Sequence, residues 1–185
     1  MAKRRLLVAV LGAFTAVTAS ADMVNLSPDA VNRIVYLYPT THYNDLFSTY
    51  NGGGYPQRTL VATSTASFVA ALSSVLGPLG ADQQYQINSA MLKVGASIDD
   101  YATVGLAEAY EVIVSYDTNT VTWSSFGNGG AAGVQYALTP AATGIVSAPS
   151  TSWNLTSVVQ GWVNGAANNG LFFPDYPPRQ VLNSF

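Results

Sequence analysis

The strongest constraint on the fold is a period-two alternation of apolar residues in many short runs of the chain. Leu92, Val94, Ala96 and Ile98 alternate with small or polar residues, which places all four on one face of an extended segment. Such a pattern is typical of a β-strand with one buried face. The other candidate strands are residues 32–38, 59–63, 112–116, 121–123, 134–138, 144–148 and 171–173.

Clusters of Asn, Gly and Pro separate these candidate strands, as at residues 51–54, 128–130, 139–140 and 168–170. Short strands divided by turns at this spacing indicate an antiparallel β-sandwich of the immunoglobulin or jelly-roll type. Strands and helices do not alternate regularly, which argues against a parallel α/β sheet. The predicted fold class is therefore all-β, a jelly-roll-like antiparallel β-sandwich with one short helix near the C-terminus.

One segment near the C-terminus departs from the period of two. Val158, Val159 and Trp162 fall on one face of a short helix that Thr156 would cap and Gly165 would end. Residues 66–76 are ambiguous, because helix formers are mixed there with β-branched residues. We interpret residues 66–76 as a strand that runs into a loop.

The first 21 residues have the three parts of an export signal. A basic start at residues 3–5 is followed by an apolar stretch and by an Ala-Ser-Ala sequence that ends at Ala21. The apolar stretch is shorter than the roughly 20 residues that cross a bilayer, and no membrane span is expected after signal cleavage. We therefore predict a signal peptide at residues 1–21, a single domain at residues 22–185, and a secreted or cell-surface location.

The charge of the chain limits its partners. Charged residues make up 9% of the sequence, well below the roughly 25% of a typical soluble domain. Cleavage would remove three of the seven basic residues and none of the ten acidic ones, which takes the formal net charge from −3 to −6. No nucleic-acid partner is expected for so acidic a chain, since phosphates require a basic face.

Residues suited to catalysis are scarce. The sequence has no cysteine and one histidine, His42, so thiolate nucleophiles and thiolate zinc sites are excluded. There is no G-x-S-x-G sequence to present a nucleophilic serine. The few basic residues left after cleavage do not suggest the charged cleft of a polysaccharide lyase or glycosidase. We expect that the protein is not an enzyme.

Four segments match, in order, the pattern of a known family. They are residues 52–62 (GGGYPQRTLVA), 87–94 (INSAMLKV), 121–124 (VTWS), and 153–165 (WNLTSVVQGWVNG) with 168–173 (NNGLFF). In these segments the chain resembles the DNRLRE domains, which are grouped with the family-96 carbohydrate-binding modules. The resemblance implies a secreted bacterial β-sandwich, commonly a module of cell-surface proteins, with carbohydrate binding assigned to some members.

The chain departs from this family in one strand. Relatives have a charged R-x-L-L-R-F-D strand before the I-x-S-A element, whereas residues 66–74 contain neither Arg nor Asp. If those charges form a buried pair in relatives, an apolar replacement leaves the fold intact. If they shape a ligand site, that site is lost here.

Chemistry suited to sugar recognition is concentrated in residues 38–58. Aromatic rings stack on pyranose faces, and amides and hydroxyls fix the orientation of the ligand. In the alternative interpretation these tyrosines pack over the end of the sandwich with their hydroxyls in water. Asp45 is a candidate ligand for a structural calcium ion, and no other cofactor is expected. The candidate carbohydrate-binding residues are Tyr38, Tyr43, Tyr50, Tyr55 and Arg58.

Two functions remain open at the level of the sequence. The first is a secreted, non-catalytic module that binds extracellular polysaccharide. The second is a structural or adhesive subunit of a cell-surface layer or filament, whose edge strands pair with another cell-surface protein. The size of the particle in solution separates a monomeric binding module from a self-assembling subunit.

Overall fold

The structure, a computed structural model, describes residues 4–8, 23–44, 55–80, 84–95, 105–146 and 150–174. Within these ranges the chain is rich in β-strands and has two helices, α1 (Thr65–Leu76) and α2 (Thr156–Val163). The strands, in chain order, are β1 (Arg4–Val8), β2 (Met23–Val24), β3 (Ala30–Val35), β4 (Gln57–Ala62), β5 (Tyr85–Ser89), β6 (Met91–Gly95), β7 (Gly105–Glu111), β8 (Ala142–Val146), β9 (Ser150–Asn154) and β10 (Leu171–Phe173).

A five-stranded antiparallel sheet, here called the central sheet, organises the molecule in the order β3-β4-β10-β7-β8. Strands β6 and β9 form a second antiparallel sheet. Strand β1, which falls within the predicted signal peptide, lies between β2 and β5 and is parallel to both. The prediction of a β-rich fold with antiparallel sheets is thus confirmed. No helix in the described part of the chain is long and apolar enough to cross a membrane.

The central sheet buries side chains on both of its faces. Along β10, Leu171 and Phe173 join one cluster of buried residues, whereas Phe172 between them joins the other. This alternation follows from the two-residue period of a strand. We call the face packed against α1, α2, β5, β6 and β9 the helix side. We call the face covered by residues 112–136 the turn side.

The helix side contains two of the three tryptophans. Trp162 of α2 is 3% exposed, and its ring lies 5.8 Å from that of Phe68. Trp153 is fully buried and donates from Nε1 to the carbonyl oxygen of Ala107 at 2.8 Å. Val158 and Val159 are buried beside Trp162, as the helical pattern predicts. The predicted apolar face of this helix is therefore part of the core on the helix side.

The ends of α2 agree with the prediction in part. Gly165 follows the helix with a φ of +97°, the left-handed conformation that the predicted stop requires. Thr156 is the first helical residue and not the cap, which is Leu155 without a side-chain hydrogen bond. The Thr156 hydroxyl instead accepts from the backbone N–H of Ala90 at 3.0 Å and ties α2 to the start of β6.

The prediction of a strand at residues 66–76 was wrong, and so was that of a single helix, because α1 occupies this segment. Ser64 caps α1 by accepting a hydrogen bond from the backbone N–H of Ser67 at 3.0 Å. Phe68 and Leu72, one helical turn apart, are buried on the helix side. Gly77 ends the helix with a φ of +78°. Burial of this apolar stripe outweighs the weak helix propensity of the Ser, Thr and Val residues.

Three predicted strands on the turn side are not strands. Residues 113–116 and 121–123 follow an irregular path, and Val112 and Tyr136 share an isolated bridge. Val112, Val121 and Trp123 are nonetheless buried, whereas Val134 and Leu138 are 57% and 76% exposed. The alternation therefore predicted burial correctly in residues 112–116 and 121–123 but not in residues 134–138, and turns take the place of strand pairing in all three.

Candidate functional site

The candidate carbohydrate-binding residues gather where β3 ends and β4 begins. The structure describes Tyr38, Tyr43, Tyr55 and Arg58, whereas Tyr50 lies outside the described residues, as does the candidate calcium ligand Asp45. Tyr38 and Tyr55 are exposed, but Tyr43 and Arg58 are partly buried. The predicted set therefore divides into two residues with open rings and two with partners in the protein.

An exposed aromatic surface, here called the tyrosine platform, consists of Tyr36, Tyr38 and Tyr55. Their exposed fractions are 52%, 55% and 46%, and Leu37 between the first two is 49% exposed. The backbone N–H of Tyr36 donates to the carbonyl oxygen of Pro56 at 3.1 Å, which brings the two chain segments together. Tyr36 was missed by sequence reasoning because the candidate sugar-binding segment was taken to begin at Tyr38, which left Tyr36 within the predicted strand at residues 32–38.

The backbone beneath the tyrosine platform is fixed by hydrogen bonds. Tyr38 donates from its N–H to the carbonyl oxygen of Val35 at 3.2 Å and accepts at its own carbonyl from the N–H of Thr41 at 3.0 Å. The carbonyl of Pro39 accepts from the N–H of Ser124 at 2.8 Å, so the turn is also tied to the turn side. A surface ordered in advance loses less conformational entropy when it binds.

Trp123 supports the platform from the turn side. The rings of Tyr36 and Trp123 meet edge to face, with centroids 5.6 Å apart and an interplanar angle of 80°. This geometry is favourable for aromatic pairs. Trp123 belongs to the predicted strand at residues 121–123; it is buried, but it lies in a turn.

Arg58 acts in the structure as a support for Trp123. Its Nη1 donates to the carbonyl oxygens of Gly129 at 2.6 Å and Gly130 at 3.3 Å. Its guanidinium carbon lies 4.9 Å from the centre of the Trp123 ring, a cation–π distance. These contacts engage the planar guanidinium under the surface. They favour a supporting role for Arg58 over the predicted contact with sugar.

Gly129 fixes the other edge of Trp123. Its φ of +91° is in the region that favours glycine, and a Cβ at this position would lie 2.5 Å from the Trp123 ring. The N–H of Gly129 also donates to the carbonyl oxygen of Trp123 at 2.8 Å. Contacts with Arg58 and Gly129 thus fix the position of the indole, against which the Tyr36 ring packs.

Tyr43 extends the edge of the central sheet beside the platform. Its carbonyl oxygen accepts from the N–H of Arg33 on β3 at 3.0 Å. The Arg33 guanidinium carbon lies 4.7 Å from the centre of the Tyr43 ring, and the Tyr38 ring meets it at 6.4 Å and 63°. One face of Tyr43 is therefore used by Arg33, which leaves it less suited to stacking than Tyr38 or Tyr55.

His42, the single histidine of the sequence, is held by two acceptors. Its Nε2 lies 2.8 Å from Oδ1 of Asn32 and 3.2 Å from the carbonyl oxygen of Thr118. Since both partners accept hydrogen bonds, Nε2 carries the proton. The neighbouring Asp117 has a pKa below its ordinary value, because the backbone N–H of Asn119 and the hydroxyl of Thr120 stabilise its carboxylate. His42 thus joins the edge of β3 to the turn side.

Within the described residues, no group of three or more His, Cys, Asp or Glu side chains could hold a metal ion. Comparison of the chain with models of protein families, with curated proteins and with solved structures finds no significant match.

Proposed function

We propose that the chain is an exported, non-catalytic module of the DNRLRE type that binds extracellular polysaccharide through the tyrosine platform. The observation that carries the proposal is the exposure of three tyrosine rings, Tyr36, Tyr38 and Tyr55, on a backbone fixed by hydrogen bonds. Large exposed aromatic side chains on a fixed backbone are suited to stacking on a sugar ring. Tyr50, on the segment between Tyr38 and Tyr55, remains a further candidate ligand residue.

The charge of the chain favours neutral or weakly charged glycans. After cleavage the basic residues would be Arg33, Arg58, Lys93 and Arg179. Arg33 and Arg58 already lie over aromatic rings, so neither offers an open cationic surface beside the platform. A net charge of −6 repels strongly anionic polymers.

A glycan array followed by calorimetry tests the proposal. We expect a dissociation constant of roughly 10–100 μM or weaker, because one or two stacked tyrosines contribute little beyond the entropic cost of association. Tyr36→Ala, Tyr38→Ala and Tyr55→Ala should each weaken binding about tenfold, or about 1.4 kcal/mol. Tyr43→Ala should have a smaller effect. Ile145→Ala is the matched control, since Ile145 is 62% exposed and lies on β8.

Two results would overturn the polysaccharide proposal. One is a wild-type protein that binds no sugar at millimolar concentration. The other is unchanged affinity in all three platform variants, which would exclude the platform as the site. Unchanged affinity in Ile145→Ala, together with losses in the platform variants, supports it.

Export is part of the same proposal. The basic start, apolar stretch and Ala-Ser-Ala sequence of residues 1–21 support cleavage after Ala21. The measured mass of the secreted protein should then equal that of a chain that begins at Asp22. An extracellular product that retains Met1 would contradict the predicted signal peptide. After cleavage, residues 22–185 expressed alone are expected to fold, because every strand of the central sheet and of the β6–β9 pair comes after Ala21.

A structural or adhesive subunit is the second candidate function, and one observation favours it. Leu106 on β7 and Ile145 on β8 are paired across the strands, and they are 54% and 62% exposed. An apolar pair at the edge of a sheet is a surface for contact with another chain. Light scattering should reveal assembly at micromolar concentration in this case, and Ile145→Lys should abolish it. A monodisperse monomer argues for the binding module.

A further inference from the structure

A second concavity, here called the polar cleft, lies at the opposite end of the central sheet from the tyrosine platform. It is formed where β3 begins, β4 ends and β10 begins, and its volume is about 250 Å³. This space holds about eight water molecules at a share of about 30 Å³ each. The residues that matter in its lining are Asp29, Ser64, Tyr116, Thr118, Asn169 and Gly170.

Two residues of the lining, Asp29 and Asn168, hold the walls of the cleft in place through hydrogen bonds. Asp29 accepts from the N–H of Ser64 at 2.7 Å and from the hydroxyl of Ser67 at 2.9 and 3.0 Å. Asn168 donates to the carbonyl oxygen of Thr63 at 2.7 Å and accepts from the N–H of Gly170 at 3.1 Å. These contacts make the cleft a preformed surface.

Other groups of the lining have hydrogen-bonding capacity to spare. Within the described part of the chain, the Tyr116 hydroxyl is screened from water and has no hydrogen-bond partner. Asn169 donates from Nδ2 to the carbonyl oxygen of Val112 at 3.3 Å, which leaves its Oδ1 to accept. Thr118 accepts a hydrogen bond from His42 at its carbonyl oxygen, which leaves its hydroxyl for a further hydrogen bond. Three residues of the lining thus have unused hydrogen-bonding capacity, in two hydroxyls and one amide oxygen.

The Tyr116 hydroxyl is the most informative of these groups. Buried polar atoms nearly always have a partner, and an unpaired one destabilises the fold. Burial raises the pKa of Tyr116 far above its ordinary value, so the hydroxyl keeps its proton and can donate. Gly170 lies beside it with a φ of +89°, and a Cβ there would be 3.3 Å from the hydroxyl and 2.5 Å from the carbonyl oxygen of Val61. A ligand oxygen that displaces the atoms covering this hydroxyl would give it the partner that it lacks.

The chemistry of the lining selects a class of ligand. No Lys or Arg lines the cleft among the described residues, and the carboxylate of Asp29 is close by, which disfavours an anionic ligand. Hydroxyl and amide groups without charge match the alternating donors and acceptors of a neutral sugar. A volume below the roughly 300–1,000 Å³ of drug-sized ligand sites is suited to a single ring.

We infer that the polar cleft binds one neutral hexose residue, with the Tyr116 hydroxyl, the Thr118 hydroxyl and Asn169 Oδ1 as its hydrogen-bond partners. The inference rests on the proposed function, to which it adds a second subsite and the class of sugar. Strand β3 separates the cleft from the tyrosine platform, and six residues at about 3.4 Å each span about 20 Å. A ligand that contacts both surfaces must therefore be a polysaccharide of several units and not a single sugar.

Titration of the ¹⁵N-labelled chain with glucose, galactose or mannose tests the inference. At least one of these neutral sugars should shift the amide signals of Thr118, Asn169 and Gly170, and glucuronic and galacturonic acid should not. Tyr116→Phe and Thr118→Val should each weaken this binding about two- to tenfold, the effect of one hydrogen bond. Tyr116→Phe should at the same time leave the free energy of unfolding unchanged or higher, because it removes an unpaired buried hydroxyl.

Tyr110→Phe is the matched control, because Tyr110 lies on β7 away from the cleft and donates its hydroxyl to Glu108 at 2.6 Å. Its affinity for hexose should equal that of the wild type. The inference is overturned if no neutral hexose shifts the cleft amides, or if Tyr116→Phe and Thr118→Val both bind as the wild type does.

The two proposals fail in different ways. If polysaccharide binding is lost in Tyr38→Ala while hexose leaves the cleft amides unshifted, the platform stands and the cleft is excluded. If hexose shifts the cleft amides but no polysaccharide binds, the cleft stands and the proposed function is wrong.

Discussion

Among the residues that the structure describes, 18 are buried in one cluster on the helix side of the central sheet, whereas 7 are buried on its turn side. Helices and strands supply the cluster on the helix side. The helix side is thus a regular apolar core, in which burial of area dominates the energy. The turn side depends on individual contacts, such as Arg58 against Trp123 and the left-handed glycine at position 129.

Both candidate ligand surfaces use the turn side. Trp123 supports Tyr36 of the tyrosine platform, and Tyr116 and Thr118 line the polar cleft. Irregular segments carry binding residues well when a rigid scaffold positions them. The difference between the two sides suggests that stability resides mainly in the helix side and recognition in the turn side. The following predictions test this division.

The largest effect is expected on the helix side, from Trp162→Ala. Trp162 is 3% exposed and packs on Phe68, so its truncation should lower the free energy of unfolding by about 3–5 kcal/mol. Polysaccharide affinity of the remaining folded protein should not change. Chemical denaturation and calorimetry measure the two quantities. A stable variant that no longer binds would instead make Trp162 a binding residue and break the division.

Gly129→Ala should affect stability and binding together. The φ of +91° and the overlap of a Cβ with the Trp123 ring predict a loss of about 1–3 kcal/mol, the range for overpacked sites. Because Trp123 must shift, Tyr36 loses its support and polysaccharide affinity should fall as well. Gly165→Ala is the matched control, since Gly165 also has a positive φ but nothing lies near its Cβ. Equal polysaccharide affinity in Gly129→Ala and Gly165→Ala would contradict the role of Trp123 as the support of Tyr36.

The sequence predicted the helix side better than the turn side, but not completely. Alternation located β4, β6 and β10, and the face formed by Val158, Val159 and Trp162 located α2. Strands β7 and β9 were not among the candidate strands. Helix α1 was also missed, although its signals were present. Ser64 is a favourable cap, and Phe68 and Leu72 are spaced by one helical turn.

The turn side could not be predicted because its order depends on contacts between residues distant in the sequence. Nothing near Arg58 indicates that its guanidinium donates to Gly129, 71 residues away. The polar cleft brings together Asp29, Tyr116 and Asn169 in the same way. For the platform, Tyr36 could have been found, since it lies two residues before Tyr38 and precedes Pro39, a common end of a strand.

A smaller effect is expected at the start of α1. Ser64→Ala removes the cap that accepts from the N–H of Ser67, and it should lower the free energy of unfolding by about 0.5–2 kcal/mol. Polysaccharide binding at the platform should be unaffected. Ser74→Ala is the matched control, because the Ser74 hydroxyl only donates to the carbonyl oxygen of Ala71 within the helix. Equal stability of the two variants would show that the cap contributes nothing.

The smallest effect is expected at Asp29 and depends on pH. Burial acts to raise the pKa of Asp29, but the hydrogen bonds from the Ser64 N–H and from the Ser67 and Ser64 hydroxyls outweigh it and keep the pKa below its ordinary value of 3.8. A lowered pKa in the folded state means that the carboxylate stabilises the fold above pH 3.8 and that this contribution is lost as the pH falls through the folded value. Since the carboxylate is largely exposed, solvent screens it, and Asp29→Asn should lower the free energy of unfolding at neutral pH by less than about 1 kcal/mol. The difference between wild type and variant, measured by urea denaturation, should disappear in strong acid. A difference that is constant with pH would mean that the charge of Asp29 does not hold the first turn of α1, and the wall of the polar cleft would then depend on the shape of the side chain alone.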